Sequence, residues 1–309
     1  MSVKQAMLHD WGSRDAKFLA INTRMRSRLV AMIGGEGAFT CVPMQGSGTF
    51  AVEAMIGAFV PPAGKLLVLI NGAYGKRIAK ICEYYKRATA VLEWAEDQPV
   101  DPARVAKALA DDTAITHVAV VHCETTSGVL NPIAEVARVV AAARRKLLID
   151  AMSAFGAIAL SSKDVPFDAV AASSNKCIEG VPGLGFVLAR MDALKQCQGN
   201  APSLSLDLYE QWQALEKTGQ YRFTPPIHCI VAFDQALTEH EEEGGVAGRG
   251  ARYRNNCKVL VDGMRALGFE TLLSDQLQAP IIVTFHMPGD PEFDFERVYR
   301  RVAEKGVLL

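Results

Sequence analysis

Short apolar runs separated by longer segments of helical periodicity constrain the fold of this chain more than any other feature. Each run is apolar nearly throughout and does not alternate with polar residues, which is typical of strands buried on both faces of a sheet. The runs cover residues 65–70, 116–121, 146–150, 168–172 and 185–189. The segments between them carry helix-start signals, such as Asp101 followed by Pro102. This order of strand, helix and strand predicts an α/β fold with a mainly parallel sheet and flanking helices.

The pattern of predicted secondary structure changes after Pro225 and Pro226. Two long polar helices, a short strand and a final helix are predicted there, over residues 230–243, 248–267, 281–285 and 293–304. The glycines between residues 244 and 250 predict a helix end and a flexible connection, because consecutive glycines destabilise a helix. We therefore predict a large domain over residues 1–226 and a smaller C-terminal α+β domain over residues 227–309.

Charge and hydropathy exclude several classes of partner. The 33 Lys and Arg residues balance the 34 Asp and Glu residues, so no basic surplus indicates a nucleic-acid partner. No apolar run approaches the roughly 18 residues of a membrane span, and residues 1–17 show no apolar core of a secretory signal. The 7 cysteines form no Cys-x-x-Cys pair, which predicts reduced thiols and no metal site. These observations favour a cytoplasmic protein that acts on small molecules.

The segment 45–49, with the sequence QGSGT, lies between a predicted strand at 39–43 and a predicted helix at 50–58. Small residues and hydroxyls at the start of a helix let backbone N–H groups bind an anion, so the segment indicates a phosphate site. Its glycine spacing also matches a dinucleotide-binding turn, but the acidic residue required about 20 positions later is absent. An NAD-dependent oxidoreductase is therefore disfavoured, and a turn that binds no ligand stays a second interpretation.

Two polar residues follow predicted strands. Asp150 ends a buried strand, and Lys176 follows the next one within a segment of small polar residues. Taken alone, Asp150 has the alternative of a turn or cap residue and Lys176 that of a solvated charge. Taken in order, the phosphate site, the strand-end Asp and the Lys are what a pyridoxal 5'-phosphate site requires. The Asp keeps the pyridine nitrogen protonated, and the Lys forms a Schiff base with the cofactor.

Five segments make the chain resemble the fold-type I, class V aminotransferases almost from end to end. These segments are 44–50, 71–76, 122–128, 149–153 and 173–180. The resemblance implies a homodimer that uses pyridoxal phosphate to transfer the amino group of 2-aminoethylphosphonate to pyruvate. The expected products are phosphonoacetaldehyde and L-alanine.

The resemblance also assigns roles to individual residues. Lys176 is implied to form the Schiff base and to carry the proton, and Asp150 to pair with the pyridine nitrogen. The further cofactor residues are Ser47, Gly48 and Thr49 at the phosphate, Thr125 at the ring hydroxyl, Tyr74 and Met152 at the two ring faces, and Thr224 at the phosphate bound by the partner subunit. For Tyr74 and Met152, a place in the apolar core is the alternative.

The chain also departs from the family pattern at both ends. Family members begin with a Thr-Pro-Gly-Pro turn and end with a segment that carries an anion-binding Arg, so the chain is expected to be truncated and its activity is open. Three other residues could replace this anion-binding Arg, on the ground of residue type alone: Arg222, Arg249 and Arg252. The alternatives are an aminotransferase that acts on serine or alanine with glyoxylate or pyruvate, and a non-catalytic truncated dimer that binds the cofactor.

Overall fold

A computed structural model describes residues 1–307, in which 7 strands form one mixed sheet. The strands are β1 (Phe39–Gln45), β2 (Lys65–Ile70), β3 (Ala88–Glu93), β4 (Ile115–Val121), β5 (Lys146–Asp150), β6 (Ala169–Ser173) and β7 (Leu184–Arg190). Their order across the sheet is β1-β7-β6-β5-β4-β2-β3. Strand β7 runs antiparallel to both of its neighbours, β1 and β6, and the other six of these strands run in one common direction. The carboxyl ends of the other strands therefore lie at one edge of the sheet.

Helices cover both faces of this sheet. In chain order they are α1 (Ser2–Gln5), a short 3-10 helix (Ala6–Leu8), α2 (Ala16–Met32), α3 (Gly48–Phe59), α4 (Ala73–Tyr84), α5 (Pro102–Asp111), α6 (Ile133–Ala142), α7 (Met191–Lys195), α8 (Leu208–Thr218), α9 (Ile227–Glu242), α10 (Gly245–Ala266) and α11 (Phe295–Glu304). The Asp101 side chain accepts a hydrogen bond from the Ala103 N–H at 2.8 Å. The helix start predicted at Asp101 and Pro102 is thus confirmed.

Alternate residues of the strands pack into two apolar layers. In β2, Leu67 and Leu69 belong to the layer that includes residues of α2, α5, α6 and α9. Leu66, Val68 and Ile70 belong to the layer on the other face, with α3, α4 and α8. Each of these five residues is at most 3% exposed. The strand is therefore buried on both faces, as its uninterrupted apolar sequence predicts.

The sequence predicts most strands correctly. The five apolar runs are β2, β4, β5, β6 and β7, each within one residue of the predicted bounds. β3 lies at the edge of the sheet with partly exposed residues, so its sequence lacks the apolar run that identifies the others. The strand predicted at 281–285 is wrong, because only an isolated bridge between Thr271 and Phe285 forms there.

The helix predicted over residues 248–267 is confirmed as α10, but the flexible connection predicted before it is wrong, because the helix starts three residues earlier. The helix α10 begins at Gly245 and continues through Gly248 and Gly250. A Cβ atom on Gly250 would lie 2.4 Å from the backbone oxygen of Ala157. The helix thus approaches the chain more closely than a side chain permits, and glycine serves packing at this position.

The helix after Pro226, α9, packs against α2 in the N-terminal part of the chain. Arg24 and Arg28 of α2 pair with the carboxylate of Asp234 at 2.5 and 3.0 Å. The division into residues 1–226 and 227–309 stays a prediction, and residues 308 and 309 lie outside the described part. No helix within residues 1–307 has the length and apolar character needed to cross a membrane.

Candidate active site

Loops at the carboxyl edge of the sheet enclose a cavity of about 340 Å³. They follow β1, β2, β5 and β6, and the segment before β7 closes the cavity. Its lining includes seven of the nine predicted site residues: Ser47, Gly48, Thr49, Tyr74, Asp150, Met152 and Lys176. This edge is where ligands bind in open α/β sheets.

The turn between β1 and α3 is built to accept an anion. Gly46 has a φ of +116°, a conformation that favours glycine, and its N–H donates a hydrogen bond to the oxygen of Gly183 at 3.0 Å. Ser47 is the N-cap of α3, and no side chain in the described part of the protein caps this helix start. The free N–H groups and the hydroxyls of Ser47 and Thr49 therefore form a donor set for a phosphate.

Asp150 places a buried carboxylate at the end of β5. The residue is 4% exposed, and its Oδ1 accepts a hydrogen bond from the Met152 N–H at 2.9 Å. Burial, supported by the charge of Glu124, raises the pKa of Asp150 to about 6, although the Met152 hydrogen bond and the charges of Arg77 and Lys176 act in the opposite direction. A cation beside Asp150 would offset the free-energy cost of burying its charged carboxylate, and a protonated pyridine nitrogen is such a cation.

Lys176 lies in the tightly bonded loop between β6 and β7. The Lys176 oxygen accepts a hydrogen bond from the Glu179 N–H at 2.8 Å, and the Ser174 oxygen accepts one from the Gly180 N–H at 2.8 Å. The Ser174 hydroxyl donates to the Val181 oxygen at 2.6 Å. These bonds fix the backbone on both sides of Lys176, whose exposed side chain lines the cavity.

Tyr74, in the first turn of α4, and Met152, in the loop after β5, both line the cavity. The Tyr74 N–H donates a hydrogen bond to Oε1 of Glu124 at 3.4 Å. A Cβ atom on Gly48 would lie 2.2 Å from Sδ of Met152, so Met152 packs directly on the phosphate turn. These positions favour the two ring-face roles, which stay predictions.

Two charged residues of the site are not among the sequence predictions. Arg77 lines the cavity, and its Nη1 donates a hydrogen bond to Oγ1 of Thr49 at 3.2 Å. Glu124 is fully buried, and its Oε1 accepts hydrogen bonds from the Thr126 N–H and hydroxyl. Arg77 lies three residues after Tyr74, and this helical spacing is the signal that places both on one helix face.

The two remaining predicted residues lie outside the lining of this cavity. The Oγ1 atom of Thr125 lies 2.7 Å from Oγ of Ser153, which directly follows the lining residue Met152. Thr224 lines a separate groove together with Arg14 and Arg222. Its predicted contact therefore depends on a second subunit.

None of the three arginines suggested as substitutes lines the cavity in the described part of the chain. Arg249 and Arg252 both pair with Glu243, at 2.6 and 2.7 Å. Arg222 lies over the ring of Phe223, 5.1 Å from its centroid. Among residues 1–307, no three His, Cys, Asp or Glu side chains are grouped to hold a metal ion.

The donor set of the cavity matches pyridoxal phosphate. It offers N–H groups for a phosphate, a carboxylate for a protonated ring nitrogen and a lysine for the aldehyde. Fold and site thus define an enzyme that depends on this cofactor. The chain belongs to the class-V aminotransferase family, because the model described as "Aminotransferase class-V" matches residues 6–308.

Curated relatives match nearly the whole chain. The 2-aminoethylphosphonate--pyruvate transaminase 2 of Burkholderia lata is 54% identical over 308 residues, which are 100% of this chain and 82% of the relative. The 2-aminoethylphosphonate--pyruvate transaminase of Pseudomonas aeruginosa is 53% identical over 306 residues, which are 99% of this chain and 82% of the relative.

Solved structures share the fold. An aspartate aminotransferase of subgroup IV from Thermus thermophilus has a TM-score of 0.89 at 22% identity and matches 99% of this chain and 84% of its own. An alanine--glyoxylate aminotransferase from Nostoc sp. has a TM-score of 0.90 at 23% identity and matches 98% of this chain and 80% of its own. The predicted α/β aminotransferase fold is thereby confirmed.

Proposed function

We propose that this chain transfers the amino group of 2-aminoethylphosphonate to pyruvate, which gives phosphonoacetaldehyde and L-alanine. One cavity that contains the phosphate turn, Asp150 and Lys176 carries the proposal for amino transfer. The proposal for the donor rests on the identities of 53–54% with curated relatives of that name. An enzyme for serine or alanine would use the same cofactor residues, so the donor is the part that needs a direct test.

The binding roles follow from the positions of the side chains. The N–H groups at the start of α3 and the hydroxyls of Ser47 and Thr49 bind the cofactor phosphate. The Asp150 carboxylate accepts a hydrogen bond from the protonated ring nitrogen, and the ring in turn stabilises the charged form of this buried group. Tyr74 and Met152 bind the ring faces, and Thr125 binds the ring hydroxyl from its position beside Ser153.

Lys176 carries the chemistry of proton transfer. When bound, pyridoxal phosphate supplies an electron sink for the carbon that bears the amino group. The Nζ atom of Lys176 removes the proton from this carbon of the amino donor and later returns a proton, as a general base and acid. The hydrogen-bonded loop of residues 174–181 holds the lysine backbone in place for both transfers.

We also propose a cytoplasmic homodimer. The separate groove around Thr224 supports the dimer, because this residue then has a role at the partner's cofactor. Sedimentation of the full chain tests this assignment, and a monomer that binds the cofactor with full affinity would remove the role of Thr224.

The function is tested with the full chain loaded with pyridoxal phosphate. On addition of 2-aminoethylphosphonate without pyruvate, we expect the cofactor absorbance to convert to that of pyridoxamine phosphate, and added pyruvate to reverse the change. The Lys176→Ala variant is expected to show neither step. Lys195→Ala, a change at an exposed lysine that pairs with Asp192, serves as the matched control.

The same assay with L-serine separates the alternatives, whereas L-alanine, as a product of the proposed reaction, would convert the cofactor in either case. Conversion with L-serine but not with 2-aminoethylphosphonate would assign the chain to the other donor class. A loaded chain that converts with no amine would support the non-catalytic alternative.

A further inference from the structure

Arg77 is a cationic side chain of the cavity that the roles above leave without a ligand. Its guanidinium lies 4.5 Å from the ring centroid of Tyr74, and its Nη1 donates to Oγ1 of Thr49 at 3.2 Å. Both neighbours line the same cavity. An arginine held between a ring face and a hydroxyl has lost part of its conformational freedom before a ligand binds, which favours anion binding.

A phosphoryl group bound in the cavity needs a cationic side chain to balance its charge. The charged residue types in the lining are Arg77, Lys176 and Asp150. The amine of Lys176 is committed to the cofactor aldehyde, and a helix start supplies only a fraction of a positive charge, about half. A phosphoryl group carries close to two negative charges. Arg77 is therefore the lining residue that can supply a full positive charge to a bound phosphoryl group.

The positive charge of Arg77 also acts on Asp150, another residue of the cavity lining. Its charge lowers the pKa of Asp150 and does so more strongly than the charge of Lys176. The contacts with Thr49 and Tyr74 place the guanidinium within reach of a ligand on the phosphate turn.

We propose that Arg77 binds a phosphoryl dianion in this cavity, together with the Thr49 hydroxyl. The cofactor phosphate is the source that the geometry favours, because Thr49 belongs to the phosphate turn. The phosphonate of 2-aminoethylphosphonate has the same chemistry and is the second source. Only this second source rests on the proposed function.

The test compares the binding of two ligands that differ by the phosphate. The full chain, freed of cofactor, is titrated with pyridoxal phosphate and with pyridoxal, and binding is followed by absorbance. For Arg77→Gln we expect the dissociation constant of pyridoxal phosphate to rise about tenfold or more, the effect of losing a charge-assisted hydrogen bond. The constant for pyridoxal is expected to stay unchanged. Arg77→Lys should retain part of the affinity because it keeps the charge.

Lys76→Gln is the matched control, since it removes one charge from the neighbouring exposed residue outside the lining. Equal weakening of both ligands by Arg77→Gln would overturn the proposal and assign Arg77 to the support of Tyr74. Unchanged binding of pyridoxal phosphate, together with an unchanged KM for 2-aminoethylphosphonate at saturating cofactor, would also overturn it.

The remaining results identify the source of the dianion. A rise in the dissociation constant of pyridoxal phosphate alone assigns Arg77 to the cofactor. A rise in the KM for 2-aminoethylphosphonate alone assigns it to the substrate phosphonate. If Arg77 affects phosphate binding but the wild-type chain does not react with 2-aminoethylphosphonate, the proposed function fails and the inference about Arg77 stands.

Discussion

Arg249, buried in α10, donates a hydrogen bond of 2.5 Å from Nη1 to the backbone oxygen of Cys177. Cys177 directly follows Lys176, so a residue from the C-terminal part of the chain fixes the loop that carries the lysine. Arg249 is 2% exposed, and its Nε pairs with Oε2 of Glu243 at 2.6 Å. A buried charge with these partners stabilises the loop only while all of its bonds persist.

Replacing Arg249 with Met is expected to lower the free energy of unfolding by about 2–4 kcal/mol, because the Cys177 oxygen and Glu243 lose a buried partner. Denaturant unfolding of the cofactor-free chain measures this change. Arg252→Met is the control, since Arg252 pairs with Glu243 from a position that is 40% exposed, and we expect a loss below about 1 kcal/mol. Equal losses in the two variants would contradict the special role of Arg249.

The Asp150→Asn variant is expected to stabilise the cofactor-free chain at neutral pH. Burial raises the pKa of Asp150 from 3.8 to about 6, so the folded chain binds more protons than the unfolded chain between these values. The free energy of unfolding therefore falls as the pH rises through this window, and the variant avoids the loss. We expect a gain of roughly 1–3 kcal/mol at pH 7.5 that disappears below about pH 4.

Thermal or denaturant unfolding at several pH values measures the effect of Asp150→Asn. With pyridoxal phosphate bound the sign should reverse, because the variant has no anion to pair with the ring nitrogen. A variant that is less stable than wild type at pH 7.5 without cofactor would show that the carboxylate is not under electrostatic strain.

The Gly48→Ala variant should reduce cofactor binding far more than stability. The new Cβ atom would meet Sδ of Met152 at 2.2 Å, and the end of this flexible side chain moves at a cost of about 1 kcal/mol. Met152 then shifts from its place beside the phosphate turn. Titration with pyridoxal phosphate measures the loss, and Met152→Ala alone should weaken binding in the same way, because both changes remove Met152 from the ring face.

Gly263→Ala is the control for this experiment, since a Cβ atom on Gly263 in α10 meets nothing within 4 Å. This variant should therefore bind the cofactor normally. It should also be slightly more stable, because alanine has a higher helix propensity than glycine. Normal cofactor binding by Met152→Ala would mean that Gly48 acts through its backbone and not through Met152.

The sequence predicts what depends on local pattern. Buried strands such as β2 and β5 are visible because each is apolar throughout, and Asp150 and Lys176 follow from the order of strands. β3 is not visible because an edge strand is partly solvated. The start of α10 at Gly245 is not visible, because consecutive glycines predict a flexible connection at that point.

The site follows the same division. The phosphate turn and the lysine lie in short motifs and are predicted, whereas Arg249 lies 73 positions after Lys176 in a different element. Its bond to the lysine loop arises only when α10 packs against that loop. Arg77 has a local signal in its spacing from Tyr74, but its contact with Thr49 joins two helices, and the two residues are 28 positions apart.

The reversed direction of β7 has a consequence for synthesis of the chain on the ribosome. Among the described strands β1 pairs only with β7, and Gly46 of the phosphate turn donates its N–H to Gly183, one residue before β7 begins. A nascent chain that has not yet released residues 183–190 holds the anion-binding turn next to an unpaired strand. Capture of the cofactor must therefore await the emergence of β7, although every phosphate-binding residue of the turn left the ribosome more than a hundred residues earlier.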